Sequence, residues 1–366
     1  MKPFIPKSLP FEDIVWEPLV SELSQANRTV ANYNGLLHSV PNPAVLLSPM
    51  TTQEAVLSSK LEGTVATLGE VLRYEAGDEP EQKSRRNDIL EILNYRSALR
   101  SAEAELVYRP FSLDMLNGLH KILLSSVRGK DKTPGRFRIT QNWIGSPGCQ
   151  IEEAEFIPPE PFFIQDHMEN WERYYHYQEK DLLVQLAILH AQLEIIHPYN
   201  DGNGRMGRII IPLFLYEKKI LNSPMFYISA YLETNRAEYV KRLRALDDNF
   251  SSWEKWILFF LKAVTAQAKQ NTEKALAIKT LYEELKQQVI ETTHSQYAVL
   301  LLDQIFVNPT FRASDLDLGE HGPTRQAVSN LLRALRETGI LDVVRQGRGR
   351  RAQVLSLTRL VELCEA

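Results

Sequence analysis

The sequence predicts a mainly α-helical protein with a small β-hairpin flap and a C-terminal winged helix-turn-helix module. Three observations carry this. Apolar residues recur at three- and four-residue steps through most of the chain. Residues 133–162 break that period with five prolines and three glycines. Past residue 290, a helix, a short helix, a third helix and a hairpin fit into fewer than eighty residues.

In chain order, 19–37, 112–126, 171–178 and 251–293 repeat apolar residues with helical spacing. The polar stretch 76–88 reads as a solvated connection. In 133–162, alternation around Arg138 to Ile144 suggests a hairpin or flap with an irregular return. Leu182 to Ile196 is apolar nearly all round, interrupted only by Gln185, His190, Gln192 and Glu194, which marks a central buried helix too short to span a bilayer comfortably. Helices at 296–306 and 324–341, with a short one in "RASDLDLG" between them, precede a Gly/Arg turn flanked by two strands in 341–357. The third helix carries an apolar stripe of Ala327, Val328, Leu331, Leu332 and Leu335. The expected organisation is an N-terminal helical region (1–110), a central helical core (111–265), a connecting helix (266–290) and a winged-helix domain (291–366).

A chain of 366 residues that is 44% hydrophobic can bury a substantial core. Its net charge of −4 demands neither nucleic acid nor a membrane as partner. Cys149 and Cys364, the only cysteines, exclude a disulfide framework and a Cys-rich zinc site. The N-terminal residues lack the continuous apolar run of a secretory signal, so the expected location is the cytoplasm.

The chemistry concentrates in "IIHPYNDGNGRMGRII", residues 195–210. Pro198 stops the preceding helix, and Gly202, Asn203 and Gly204 can aim successive N–H groups at one point, at the start of a new helix near Arg205. Arg205 and Arg208 share a helix face and suit polyphosphate oxygens. Asp201 offers a hard oxygen ligand for Mg²⁺, and His197 can take a proton at neutral pH. A Gly-rich interhelical turn with surface arginines is the plain alternative, but six chemically matched groups in twelve residues favour a phosphate-transfer centre.

"HPYNDGNGRMGR" closely resembles the Fic motif His-Pro-Phe-x-Asp/Glu-Gly-Asn-Gly-Arg-x-x-Arg, with Tyr199 in place of Phe. The resemblance extends through "PGRFR", "NWIG", "YISAYLETNRAEYVKRL" and the N-terminal "NPAVLLSPMTTQEAVLSSKLEGTVATL". It implies a Fic-type helical core that transfers AMP from Mg·ATP to a Ser, Thr or Tyr hydroxyl of a target protein. By that resemblance His197 is the general base, Asp201 binds Mg²⁺, and Gly202, Asn203, Gly204, Arg205, Met206, Gly207 and Arg208 form the ATP and phosphate site. Tyr239 matches a position near the adenine, with a tyrosine packing on the core as an alternative that reads almost as well. Asn142, Trp143, Ile144 and Gly145 belong to the flap edge that docks the target. Ser58, Glu62 and Gly63 match an inhibitory Ser-x-x-x-Glu-Gly helix whose glutamate pairs with the second motif arginine, Arg208; in some relatives the same glutamate serves removal of AMP.

Residues 321–359 hold eight arginines against Glu337 and Asp342, the footprint of a winged helix on DNA, with Arg325, Gln326, Ser329 and Arg333 facing the groove. Target docking or assembly through the same module is the alternative, and residues 291–320 are acidic. Two functional classes stand side by side: an autoinhibited adenylyltransferase, able to modify itself or form a homodimer, and a nucleotide-sensing DNA-binding regulator. A pure sensor has no use for a base beside the phosphate cradle, which favours the enzyme. Another nucleotide donor remains compatible with the motif.

Overall fold

The computed structural model describes residues 2–366 apart from 126–129, 147, 248, 320, 321 and 350. Helix accounts for 64% and strand for 4% of it. In chain order the helices are α1 (Val20–Ser39), α2 (Pro43–Leu46), α3 (Ser48–Leu61), α4 (Leu68–Glu75), α5 (Lys83–Leu106), α6 (Leu113–Leu123), α7 (Ile164–Tyr175) and α8 (Leu182–Ile196). They continue as α9 (Asn203–Glu217), α10 (Ser229–Thr234), α11 (Arg236–Arg244), α12 (Phe250–Thr293), α13 (Ala298–Val307), α14 (Arg325–Glu337) and α15 (Thr358–Glu365). The strands are β1 (Thr310–Phe311), β2 (Asp342–Arg345) and β3 (Val354–Ser356). The chain forms two compact units. One comprises Met1–Asn34, Leu57–Gly63 and Asn94–Lys269; the other comprises Gly35–Val56, Thr64–Leu93 and Gln270–Ala366.

The first unit is organised around α8, all of whose residues are buried except Leu182 and Glu194. Asp181 caps its N-terminus, accepting from the N–H groups of Leu183 (2.7 Å) and Val184 (3.3 Å). The indoles of Trp171 and Trp256 donate to the carbonyls of Leu189 and Ala187, each at 2.8 Å, so two large rings are oriented by the helix they cover. The amide nitrogens among the polar interruptions read from the sequence reach neighbouring carbonyls, while Gln185 Oε1 is buried without a partner among the described residues. Gln185 donates to the carbonyls of Tyr174 and Tyr177 at the end of α7, and Gln192 to that of Lys7. The expected flap is less regular than a hairpin. Ile144 and Phe156 form an isolated antiparallel bridge, and the return passes through a 3-10 turn, Ile151–Glu153. Pro158, Pro159 and Pro161 supply no N–H groups to extend the ladder.

In the second unit, β1, β3 and β2 form an antiparallel sheet in that order, with Thr310 opposite Ser356 and Val343 opposite Leu355. Thr324 caps α14, and Leu332 and Leu335 form its buried side. The short helix expected in 312–319 is only a 3-10 turn, Ala313–Asp315. Arg312 clasps Asp315 through two nitrogens there, at 2.9 and 2.8 Å, and Asp315 Oδ2 also accepts from the Arg312 N–H (2.9 Å), a side-chain bond to the backbone that competes with continuing the helix. Arg350 of the expected wing lies outside the described residues. Both cysteines are free thiols, and among the described residues no helix is long and apolar enough to cross a membrane.

Candidate active site

Helix α8 delivers His197 to the site as its C-cap, with a left-handed backbone (φ 50°, ψ 58°). The Nδ1 of His197 lies 3.2 Å from the Glu194 carbonyl. A carbonyl only accepts, so the proton sits on Nδ1 and Nε2 presents a lone pair. Withdrawal of the ring from water pushes its pKa down to about 4; the Arg138 charge adds to this, while the Glu194 carbonyl, Glu62 and Asp201 oppose it. The imidazole is therefore neutral at pH 7. Arg138 is fully buried and fixes this corner: its Nε donates to the His197 carbonyl (2.9 Å), its Nη2 to that of Pro159 (2.6 Å), and its own N–H to that of Pro198 (2.8 Å).

The loop from Pro198 to Gly202 is held from beneath. His120, buried and neutral with a pKa pushed down to about 4 by burial, accepts from the Gly135 N–H (2.8 Å), so its other nitrogen donates to the Asp201 carbonyl (3.0 Å). Tyr199 stacks on His120 with ring centroids 3.7 Å apart, and its hydroxyl donates to Asn117 Oδ1 (2.9 Å), which accommodates the phenol in place of Phe. Asn203 accepts from the Tyr199 N–H and donates to the Tyr199 carbonyl, both at 2.9 Å. Its amide side chain is thus occupied in shaping the loop, and its backbone N–H is what it offers to a ligand. Gly202 (φ 81°) starts α9 in a left-handed conformation with no side-chain cap, leaving first-turn amides such as those of Asn203 and Gly204 to an anion. Asp201 Oδ1 accepts from the Gly202 N–H (2.6 Å) and approaches Arg205 Nη2 (3.4 Å), while its side chain stays 43% exposed. Met206 is buried in the core.

Arg208 is already occupied. Its Nη2 donates to Glu62 Oε1 (2.6 Å) and the Ser58 carbonyl (2.9 Å), and its Nε to Ser58 Oγ (2.8 Å). Ser58 and Glu62 are four apart at the end of α3, so both face α9. Gly63 (φ 96°) then turns the chain away. Burial alone would raise the Glu62 pKa; the Arg208 guanidinium reverses this, and the carboxyl lies below its usual value. A side chain at position 204 would collide with Glu62 Oε1, so glycine there admits the clamp.

A second carboxylate stands behind Arg208. Burial pushes the Glu194 carboxyl up to about 7, with Glu62 adding to the shift and Arg208 opposing it. The Tyr239 hydroxyl lies 2.9 Å from His190 Nε2 and 3.4 Å from Glu194 Oε1. His190 Nδ1 faces the Gly207 carbonyl (3.1 Å) and burial pushes its pKa down to about 4, so Nε2 is the acceptor and the single Tyr239 hydrogen goes there.

Part of this set opens onto one cavity of about 490 Å³, a size suited to a nucleotide. Glu62, Trp143, Ile144, Gly145, His197, Gly204, Arg208 and Tyr239 line it, joined by Glu194, Arg236, Val240 and Arg244. Asn142 lies beside it, donating to the Tyr199 carbonyl (3.3 Å). Arg244 pairs with Glu155 on the flap return. Ser58, Gly63, Asp201, Gly202, Asn203, Arg205, Met206 and Gly207 lie outside the lining, and Gly207 backs onto Glu194. Arg138, His120, Asn117, His190 and Glu194 were not assigned roles from sequence, although the lone polar residues of α8 were a signal for the last two.

Two family models match the chain, "Fic/DOC family N-terminal" over residues 20–104 and "Fic/DOC family" over 110–215, together more than half of it. The chain belongs to the Fic/DOC family. It is 34% identical over 100 residues to a probable protein adenylyltransferase of Aquifex aeolicus, covering 26% of this chain and 28% of that protein. Protein adenylyltransferase fic-1 of Caenorhabditis elegans is 26% identical over 162 residues, 42% of this chain and 30% of the relative. The matched region thus spans less than a third of either relative's length. The fold is similar to that of a Fic family protein from Desulfovibrio desulfuricans, with a TM-score of 0.60, 17% identity, and coverage of 95% of this chain and 98% of that one.

Proposed function

We propose that this Fic protein is an autoinhibited protein adenylyltransferase, which moves AMP from ATP to a hydroxyl of a target protein. The observation that supports this best is a neutral His197 with an unshared Nε2 lone pair, lining the same cavity as an anion-binding helix start and an arginine already clamped by Glu62. In the forward reaction His197 Nε2 takes the proton of the target hydroxyl. The hydroxyl oxygen bonds to the α-phosphorus, the bond from that phosphorus to the bridging oxygen of the β-phosphate breaks, and pyrophosphate leaves. The amides at the start of α9 hold the α-phosphate, and Arg205 and Arg208 take the β- and γ-phosphates. This is catalysis by positioning and charge stabilisation, to which a positioned base adds about 10²–10⁴-fold.

Asp201 fits Mg²⁺ as a single exposed carboxylate, and among the described residues no group of three or more His, Cys, Asp or Glu could hold a metal. That donor set suits a cation arriving with the nucleotide and keeping phosphate and water oxygens as its other ligands. When bound there, Mg²⁺ offsets phosphate charge.

The target docks along Asn142 to Gly145 as an added strand, where Ile139 and Trp143 are exposed apolar neighbours. The clamp on Arg208 keeps the γ-phosphate from seating, and Glu62, once released, can position water for removal of AMP. The test is to supply ATP labelled at the α- or the γ-phosphate to the Glu62→Gly protein with lysate and Mg²⁺. Protein label from the α position alone supports AMP transfer; label from the γ position means phosphate transfer and overturns it.

A further inference from the structure

The arginines of the C-terminal unit divide into two kinds. Arg312 clasps Asp315, Arg359 holds Glu284 through two bonds of 3.0 Å, and Arg345 reaches Asp78 (2.7 Å) and the carbonyls of Gly77 and Ala352. Arg336 binds Gln353 Oε1 at 3.1 Å, tying α14 to the strand side of the wing. These four hold the unit together. Among the described residues, the side chains of Arg325, Arg333, Arg348 and Arg351 have no hydrogen-bond or ion-pair partner, and all four residues are exposed.

The unpartnered four are connected in space through the partnered ones. Arg333 shares a helix face with Arg336, three residues on, and Arg336 reaches Gln353, which lies two residues from Arg351 in the wing. Arg348 and Arg351 face each other across the wing tip, exchanging backbone bonds of 3.0 and 3.1 Å. Like charges placed directly opposite in an antiparallel pair repel. The wing tip thus carries a cost in the free protein that a polyanion removes. The outward side of α14 offers Arg325, Gln326, Ser329 and Arg333, all exposed, with no acidic residue before Glu337. In a chain of net charge −4, this is a local positive surface made of one helix and one ribbon, the two shapes a DNA groove admits.

We propose that α14 and the wing tip form a binding surface for double-stranded DNA, with Arg348 and Arg351 on phosphates and Arg325 and Arg333 entering or flanking the major groove. The surface lies in the second unit and does not depend on the transferase reading.

The test is fluorescence anisotropy of a labelled 30-bp DNA duplex with the full chain across a salt series. Mixed-sequence binding in the range of about 10⁻⁴–10⁻⁶ M is expected, falling steeply with salt. Arg348→Gln with Arg351→Gln should reduce the salt slope by roughly two, about one per phosphate contact. The corresponding Lys pair should retain binding, and Arg359→Gln should leave it unchanged, because that residue already has a carboxylate partner. No duplex binding at 50 mM salt overturns the proposal, as does an equal loss in Arg359→Gln. Competition by polyglutamate as strong as by DNA would assign the face to an acidic protein instead. Self-association lost in the Arg348/Arg351 variant would make it an interface between copies, and tighter binding of duplex RNA would rule out major-groove docking, since that helix's groove is too narrow.

Discussion

Replacing Glu62 by glutamine keeps the shape of the Arg208 clamp and removes its charge. The Nη2 to Oε1 bond of 2.6 Å is charge-assisted at both ends, while the two bonds from Arg208 to Ser58 are untouched. Bonds involving a charged group contribute about 1.5–3 kcal/mol, and because Arg208 still donates as a cation to glutamine, only part of that is lost. The Glu62 side chain is 38% exposed, so solvent screening keeps the loss low, about 1 kcal/mol, or roughly fivefold. Glu62→Gln should therefore bind Mg·ATP about fivefold more tightly by calorimetry and transfer AMP faster than the native protein, yet more slowly than Glu62→Gly. Ser58→Ala supplies the check on cause. It leaves the carboxylate in place but removes the bond from Arg208 Nε, so it too should ease ATP binding. If Glu62→Gln binds ATP no better, the clamp reasoning fails. If Glu62→Gln gains and Ser58→Ala does not, the glutamate acts by repelling phosphate rather than by occupying Arg208.

Transfer by Glu62→Gly should hold level from pH 8 to about 5 and fall with a midpoint near 4, because the His197 pKa is pushed down to about 4; a midpoint near 6.5 would contradict that environment. The Glu62 carboxyl lies below its usual value, so the clamp is present above that value and is lost only as pH falls through the lowered one; acid down to pH 5 should leave the native protein inhibited. Stability should also respond to pH. His120, His190 and His197 stay neutral in the fold to about 4 and protonate near 6.5 when unfolded, which favours unfolding as pH falls. Glu194, raised to about 7, is protonated in the fold first and opposes one of them. For these four groups the balance leaves two more protons on the unfolded chain, a contribution on the order of 3 kcal/mol lost per pH unit between roughly 6.5 and 4.5, measurable by urea melts; equal midpoints at pH 6.5 and 5 would refute it. Arg138→Met should strand the carbonyls of His197 and Pro159, at about 1–3 kcal/mol each, and lower transfer by Glu62→Gly more than ATP binding; an unchanged melting temperature would show that the guanidinium does not hold this corner.

The helical body and the phosphate loop were legible because each rests on local chemistry. Periodicity marks α12, near-continuous apolarity marks α8, and glycine with proline marks the turn from His197 to Gly202. The flap was legible as non-helical but not as a single bridge, since the prolines of its return decide how far pairing extends. The short helix expected in 312–319 is only a 3-10 turn, because the Asp315 carboxylate takes the Arg312 N–H, a choice that residue spacing alone does not announce. The support of the site was hidden for the same reason: Arg138 lies 59 residues from His197, and His120 lies 81 from Asp201. Neither spacing has a sequence period. Asn203 shows the converse, a residue whose chemistry suggested a ligand contact and whose side chain instead closes the loop on Tyr199.

The most direct measurement is incorporation of α-labelled ATP into protein by the native chain, by Glu62→Gly, and by Glu62→Gly combined with His197→Ala. Strong label with Glu62→Gly, little with the native chain and none with the double variant is the expected pattern. Equal label in the native chain and Glu62→Gly would remove the inhibitory clamp from the account, and label surviving in the double variant would remove His197 as the base.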